Sequence, residues 1–433
     1  MLVIAQTAAP EPGPLLMRSP TTNGNVIVFQ YAGDLWSVPM EGGRANRLTN
    51  SPGMESGPFF SPDGNTIAFT GEYDGNQDVF IMPAEGGMPK RLTAHPAPDT
   101  ALGWTPDGKN VLFMSSMQSL YPAPRLLTVS TGGGFPKAVP LPSGTQGSFS
   151  PDGQQIAYVS GYKWEEAWKR YRGGQAYTIW VARLSDSKWE GIPKKNENNE
   201  QPMWVGDKIY YLSDKNGIVG LYSYDTDSKQ VKEEIKGEGF DIKSATAGPG
   251  VIVYEQLGSL NVFDPKTKDH HQVPVEIRGD FPEVRNEFKR LMPYMNGAAI
   301  SPTGQRVVVT ARGRLFTAPA SKGDARMITG GDGYDPRDPA WSPDGRTVAY
   351  ITDERGTQEL ALYDLKSNKA TFQKLGDPPA YYYAPNWSPD SKKIAYTDNR
   401  HIVWVMDVAS GTNTQLDAGV YSDPVISIDP RWS

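Results

Sequence analysis

At 433 residues the chain is too long for one small domain, and 43 Lys and Arg against 49 Asp and Glu leave a net charge of -6. That charge offers no global attraction to a nucleic-acid backbone or an anionic membrane. The absence of Cys removes disulfides, thiolate nucleophiles and Cys-based zinc sites together, no stretch approaches the roughly 20 apolar residues of a membrane helix, and 45 evenly spread Gly with 37 Pro argue against long helices.

Met1 to Ala9 (MLVIAQTAA) runs from apolar to small residues, as the tail of a secretory signal does, yet the first basic residue is Arg18. It reads either as a truncated signal, which places the protein in the periplasm or outside the cell, or as a short disordered end, which leaves it in the cytoplasm. From Ser19 an opening unit with its turn at Thr22-Asn23-Gly24 leads into a repeat. Phe60-Ser61-Pro62-Asp63-Gly64 with Ile67-Ala68-Phe69 returns as Trp104-Thr105-Pro106-Asp107-Gly108 with Val111-Leu112-Phe113, and as Phe149-Ser150-Pro151-Asp152-Gly153 with Ile156-Ala157-Tyr158. Less regular units follow at Met203-Trp204 with Ile209-Tyr210-Tyr211, and at Val251 to Tyr254 with Leu260 to Phe263. The motif then recurs at Ser301-Pro302-Thr303-Gly304, Ser342-Pro343-Asp344-Gly345 and Ser388-Pro389-Asp390-Ser391.

Ser61, Thr105 and Ser150 are 44 and 45 residues apart, and Ser301, Ser342 and Ser388 are 41 and 46 apart, the period of four-stranded propeller blades. Ser at i, Pro at i+1 and Gly at i+3 suit a type I turn, so each S-P-D-G is a hairpin tip. The alternating I-A-F/Y after it forms a strand with large side chains on one face and Ala where a neighbouring sheet comes close. A third strand such as Asp34-Leu35-Trp36 or Asp78-Val79-Phe80, a Gly-Gly turn, and a fourth strand such as Arg47-Leu48-Thr49 or Arg91-Leu92-Thr93 complete the unit.

The predicted fold is all-β: tandem β-propellers, one of six blades followed by an incomplete second one. The expected divisions are 1–17, a signal-like or disordered N-terminus; 18–275, the six-bladed propeller; 276–296, a charged linker; and 297–433, about three blades plus the start of a fourth. Arg431-Trp432-Ser433 reads as the beginning of another repeat, so the chain is expected to end inside a blade. A single ring of nine or ten blades is the weaker alternative, since propellers mostly stop at eight.

Val26 to Phe29 followed by Gly33-Asp34-Leu35-Trp36 and Gly42-Gly43-Arg44-Ala45-Asn46-Arg47-Leu48-Thr49 resembles the first blade of tricorn-type serine peptidases. Trp168-Lys169-Arg170-Tyr171-Arg172-Gly173-Gly174 is similar to a W-K-x-Y-R-G-G segment at the same place in that family. The resemblance implies a six-bladed and a seven-bladed propeller ahead of a PDZ-containing catalytic part that trims oligopeptides with Ser and His. The propellers would be passages for substrate and product. Oligopeptides, downstream PDZ and peptidase domains and a homo-oligomer are the implied partners, and the catalytic part would lie beyond residue 433. The family's basic pair before the third blade is missing: Ala94 to Thr100 carries His95 but no Arg.

The residues themselves offer no catalytic machinery: there is no G-x-S-x-G, H-E-x-x-H or P-loop, and His95, His270, His271 and His401 are scattered. Asp74 to Glu85 imitates a calcium loop but has Val79 where Gly is required, and Asp332, Asp335 and Asp338 read as a solvated loop. No metal or cofactor is therefore expected. The basic, aromatic insertion from Lys163 to Arg172 reads as a loop packed on its own blade or as a channel lining for peptide carboxylates. Trp168, Lys169, Arg170, Tyr171 and Arg172 are its candidate site residues. A TolB-like interaction module, and the propeller prefix of an amidohydrolase or prolyl-oligopeptidase relative, are the competing functions.

Overall fold

A computed structural model describes residues 16–117, 119, 123–161, 172–174, 176–237, 239–279, 290, 292–329, 333–419 and 429–432. Among these the chain is all-β, with nine four-stranded antiparallel sheets, each a meander of strands taken in sequence order. The first sheet runs Arg18–Thr22, Val26–Tyr31, Asp34–Pro39 and Asn46–Arg47, and the second Glu55–Phe60, Thr66–Gly71, Asp78–Pro83 and Lys90–Arg91. Two compact units divide the chain, Met1–Arg285 with six of the sheets and Asn286–Ser433 with three.

Within the first unit the leading strand of each sheet lies beside that of the next, and the leading strand of the sixth, Ile242–Gly248, lies beside that of the first. These six are the inner strands. Each boundary between sheets is filled by its own apolar cluster. Val28, Leu35, Ile67, Phe69, Phe80 and Met82 fill the boundary between the first two sheets, and Met17, Phe29, Trp36, Val253, Leu260 and Val273 fill the one between the sixth and first. The alternation explains why Ile67, Ala68 and Phe69 are all buried: Ile67 and Phe69 face the first sheet, while Ala68 faces Val111 and Phe113 of the third. A sheet sandwiched on both faces needs apolar residues at every position, and a small one where the next sheet approaches. Each large side chain so buried contributes about 1.5–3 kcal/mol.

The fourth strands are shorter than Arg47-Leu48-Thr49 suggests. The ladder stops at Arg47 because the Thr49 hydroxyl, rather than a backbone carbonyl, accepts the Leu35 N–H at 2.9 Å, and Thr93 does the same for Val79 at 3.0 Å. Closure of the first unit uses a further element. Val275–Glu276 adds in parallel to Gly43–Arg44, with Gly43 N–H donating to Pro274 O at 2.8 Å and Ala45 N–H to Glu276 O at 2.9 Å. On the other side Met17 N–H donates to Gly258 O, and the Thr246 hydroxyl to Pro20 O.

Candidate functional site

The hairpin tips are wired by their own side chains. Ser61 O accepts the Gly64 N–H at 2.8 Å, the Ser61 hydroxyl donates to Asp63 Oδ1 at 2.5 Å and accepts from Thr66 N–H at 3.0 Å, and Asp63 Oδ1 also accepts from Asn65 N–H at 3.1 Å. The same hydroxyl-to-carboxylate bond, at 2.6 Å, joins Thr105 to Asp107, Ser150 to Asp152, Ser342 to Asp344 and Ser388 to Asp390. Hydrogen bonds from Ser61, Thr105 and Ser150, seconded by backbone amides, hold the Asp63, Asp107 and Asp152 carboxyls below the usual range. Successive tips also touch: Asn23 Nδ2 donates to Gly64 O at 3.1 Å, while Gly108 lies against Pro62, Gly153 against Pro106 and Gly24 against Pro249.

Inner strands share a second device. All but one of the nine carry a bulge where they pair with their neighbours, Gln146–Phe149 of the fourth sheet being regular. Ser19, Gly57, Gln201, Asp338 and Ala384 occupy the bulges with φ near +50°, and a Pro follows each. Proline is tolerated there because a bulge leaves an amide out of the ladder. In the second, fifth, eighth and ninth sheets that Pro stands two residues before the aromatic that precedes the tip, a recurrence present in the sequence but outside the S-P-D-G reading. Amides freed along these strands are capped by the preceding sheet. Gln146 Oε1 accepts Gln201 N–H at 2.6 Å, Ser148 Oγ accepts Trp204 N–H at 2.9 Å and Gln201 Oε1 accepts Ala245 N–H at 3.0 Å.

Together the six inner strands and their tips enclose a cavity of about 700 Å³ in the first unit. Aromatic side chains of Phe59, Phe60, Trp104, Phe149 and Trp204 line it together with small or amide residues such as Gly57, Gly103, Gly147, Gln146 and Gln201. Its one formally charged lining residue among those described is Asp63, on a tip at the rim. The Trp104 indole N–H donates to Phe59 O at 2.9 Å across the sheet boundary. In the second unit Trp387 donates to Ala340 O at 3.1 Å and Trp432 to Asn386 O at 3.0 Å, so Trp432 repeats against the ninth sheet the contact Trp387 makes with the eighth.

Consecutive antiparallel hairpins turn at alternate ends, so the connection between second and third strands lies at the end remote from the tips. Gly161 and Arg172, which flank the insertion of the fourth sheet, lie toward this remote end. Trp168, Lys169, Arg170 and Tyr171 lie outside the described residues; Arg172 lies within them. Its guanidinium donates to Asp214 Oδ2 at 2.7 Å and to Asp214 O at 3.0 Å in the fifth sheet's corresponding connection. Asp214 also accepts from Asn198 N–H and Nδ2, and Lys194 Nζ donates to Ala176, Tyr177 and Glu197 carbonyls at 2.7 to 3.0 Å. Burial lowers the Lys194 pKa, opposed by Glu197 and Asp214.

Buried acids mark the same end. Asp34 pairs with Arg47, and Asp78 with Arg91. Glu55 is fully buried beside Asp34; desolvation pushes its carboxyl up to about 7, against the hydrogen bond that the Thr49 hydroxyl donates to Glu55 Oε2 at 2.9 Å. Asp78, in the calcium-like stretch, thus serves an ion pair at the start of a strand. Asp338 is paired with Arg337, and Asp332 lies outside the described residues. His95 Nδ1 accepts the Ala97 N–H within its loop, and His270 Nδ1 lies 3.2 Å from the Tyr254 hydroxyl.

Residues 14–269 match the family described as the tricorn protease N-terminal beta propeller domain. The chain belongs to this family. It is 29% identical to tricorn protease homolog 1 of Streptomyces coelicolor over 455 aligned residues, covering 99% of this chain and 41% of the relative. With the tricorn protease homolog of Saccharolobus solfataricus it is 22% identical, covering 95% of this chain and 38% of the relative. The crystal structure of the tricorn protease superposes with a TM-score of 0.60 at 22% identity, over 94% of this chain and 40% of that one. The chain thus spans about two fifths of the length of these tricorn relatives, and its repeated four-stranded sheets are those of a tricorn β-propeller.

Proposed function

We propose that the first unit is a six-bladed propeller, the second the opening blades of a seven-bladed one, and the two together the non-catalytic part of a tricorn-like serine peptidase. They channel oligopeptides to or from a catalytic domain outside these residues. The observation that supports this reading is the cavity bounded by the inner strands of six successive sheets, lined by aromatic residues, glycine backbone and amides, with Asp63 at its rim as the one charged group among the described lining residues. Such a wall can hold or pass a peptide.

In this reading Trp168, Lys169, Arg170 and Tyr171 supply the cations and aromatic groups that meet peptide carboxylates. Arg172 is a positioning residue, since its bonds to Asp214 fix the foot of that loop. The purified chain should bind capped oligopeptides in calorimetry and leave fluorogenic peptides uncleaved. Turnover that a single Ser substitution abolishes would overturn the reading.

A further inference from the structure

The cavity of the first unit is built to discriminate by charge. Five aromatic residues, Phe59, Phe60, Trp104, Phe149 and Trp204, half-buried against the clusters at the sheet boundaries, line a space of about 700 Å³ whose described lining includes no Lys, Arg or His. These rings offer an anion no hydrogen bond, because the Trp104 and Trp204 indole N–H groups are already given to Phe59 O and Gly206 O. A carboxylate brought among them loses water and meets no donor of opposite charge, which is the costly case for a buried ion.

The rim adds to this bias. Asp63, on the tip of the second sheet, lines the cavity and is held by the Ser61 hydroxyl, which keeps its carboxyl below the usual range. The amides with which a lumen could have welcomed an anion are partly spent. Trp204 and Ala245 give their N–H groups to Ser148 and Gln201, and Gln201 gives its own to Gln146.

We infer that the lumen of the first unit accepts peptide segments bearing neutral, aromatic or basic side chains and rejects acidic ones. This rests on the peptide-channel reading and specifies which peptides the channel takes. A segment with Lys or Arg gains from Asp63 at the rim, one with Gln or Phe is tolerated, and one with Asp or Glu meets desolvation without a compensating donor, and repulsion from Asp63.

Gly57 provides a clean test. It occupies a bulge with φ +55°, a Cβ there would approach nothing closer than 3.8 Å, and Ser19 and Gln201 hold the equivalent place at φ 48° and 53°. Gly57→Lys therefore sets a cation in the lumen without a new backbone conformation. Calorimetric titration of the full chain would use three capped, aromatic-bearing hexapeptides that differ at one position, Glu, Gln or Lys. The Glu peptide should bind at least about tenfold more weakly than the other two, the gap shrinking with salt, and Gly57→Lys should reverse the order of Glu and Lys. Equal affinities for the three, unchanged by Gly57→Lys in a protein with wild-type circular dichroism, would overturn the charge selection and leave the channel standing. Absence of binding by all three to the unaltered chain would overturn both.

Discussion

Glu55 shows how far a single carboxyl departs from its ordinary chemistry here. It is fully buried next to Asp34, and burial raises it from 4.5 to about 7. Because the folded state binds this proton more tightly than the unfolded chain, the acid costs stability above pH 7, and the cost fades as pH falls toward 4.5. Glu55→Gln, which keeps an acceptor for Thr49, should therefore stabilise the protein by about 1–3 kcal/mol at pH 8 and by little at pH 5. Urea midpoints at the two pH values measure this; an equal loss at both would mean that the ionised form is the favoured one. At the tips, the hydroxyl-to-Asp bond repeats wherever the motif has both groups, and Ser301 with Thr303 has only a 3.4 Å hydroxyl contact in its place. That difference was legible in the sequence as Thr for Asp. The burial of Glu55 was not, because it depends on the first and second sheets closing over it.

At the scale of the element, the repeat announced the strands and left out what joins their ends. S-P-D-G and I-A-F/Y locate the tips and the sandwiched strands, and even the less regular units at Met203 and Val251 become full sheets, Asn199–Val205 with Lys208–Ser213 and Ile242–Gly248 with Val251–Gln256. Phe69→Ala, which empties the boundary between the first two sheets, should cost about 3–5 kcal/mol in denaturant titration; a loss below 1 kcal/mol would mean that the neighbouring sheets collapse into the gap. The latch was not legible, because it pairs Val275 with Gly43, far away in sequence. One signal was nevertheless present. Gly42-Gly43, Gly86-Gly87 and Gly133-Gly134 share left-handed backbones, yet two residues after the pair only the first turn has an amide, at Ala45, where the second and third have Pro89 and Pro136. Proline there withholds the bond that Ala45 gives to Glu276, so those two turns cannot take the strand in the same way. Ala45→Pro should lower stability by about 1–3 kcal/mol and expose residues 273–277 to hydrogen exchange, whereas Pro89→Ala should change neither. Unaltered protection of 273–277 in Ala45→Pro would show that the latch does not hold the ring.

For the whole molecule, stability follows from how completely each sheet is sandwiched. In the first unit six clusters serve six boundaries. In the second, every residue of the leading strand Met295–Ile300 is exposed or half-buried, and Ile300 is 72% exposed. Amides of 295–300 should therefore exchange faster than those of Glu55–Phe60, whose sheet is covered on both faces; equal protection would contradict this account of the second unit. The site divides in the same manner. The hairpins that frame the cavity were readable as a repeat, while the prolines of the bulges, the amide caps and the Arg172 bond to Asp214 required the sheets to be placed side by side.

The claim on which the rest depends is that peptide occupies the space inside the six leading strands. Photocrosslinking with a capped, neutral oligopeptide carrying a benzophenone side chain, followed by mass mapping, tests it most directly. Adducts should fall on the inner strands, foremost Glu55–Phe60, Asp99–Trp104 and Asn199–Val205, and decline with competing unlabelled peptide. Adducts confined to outer strands such as Lys90–Arg91 and Val231–Ile235, indifferent to competition, would contradict it.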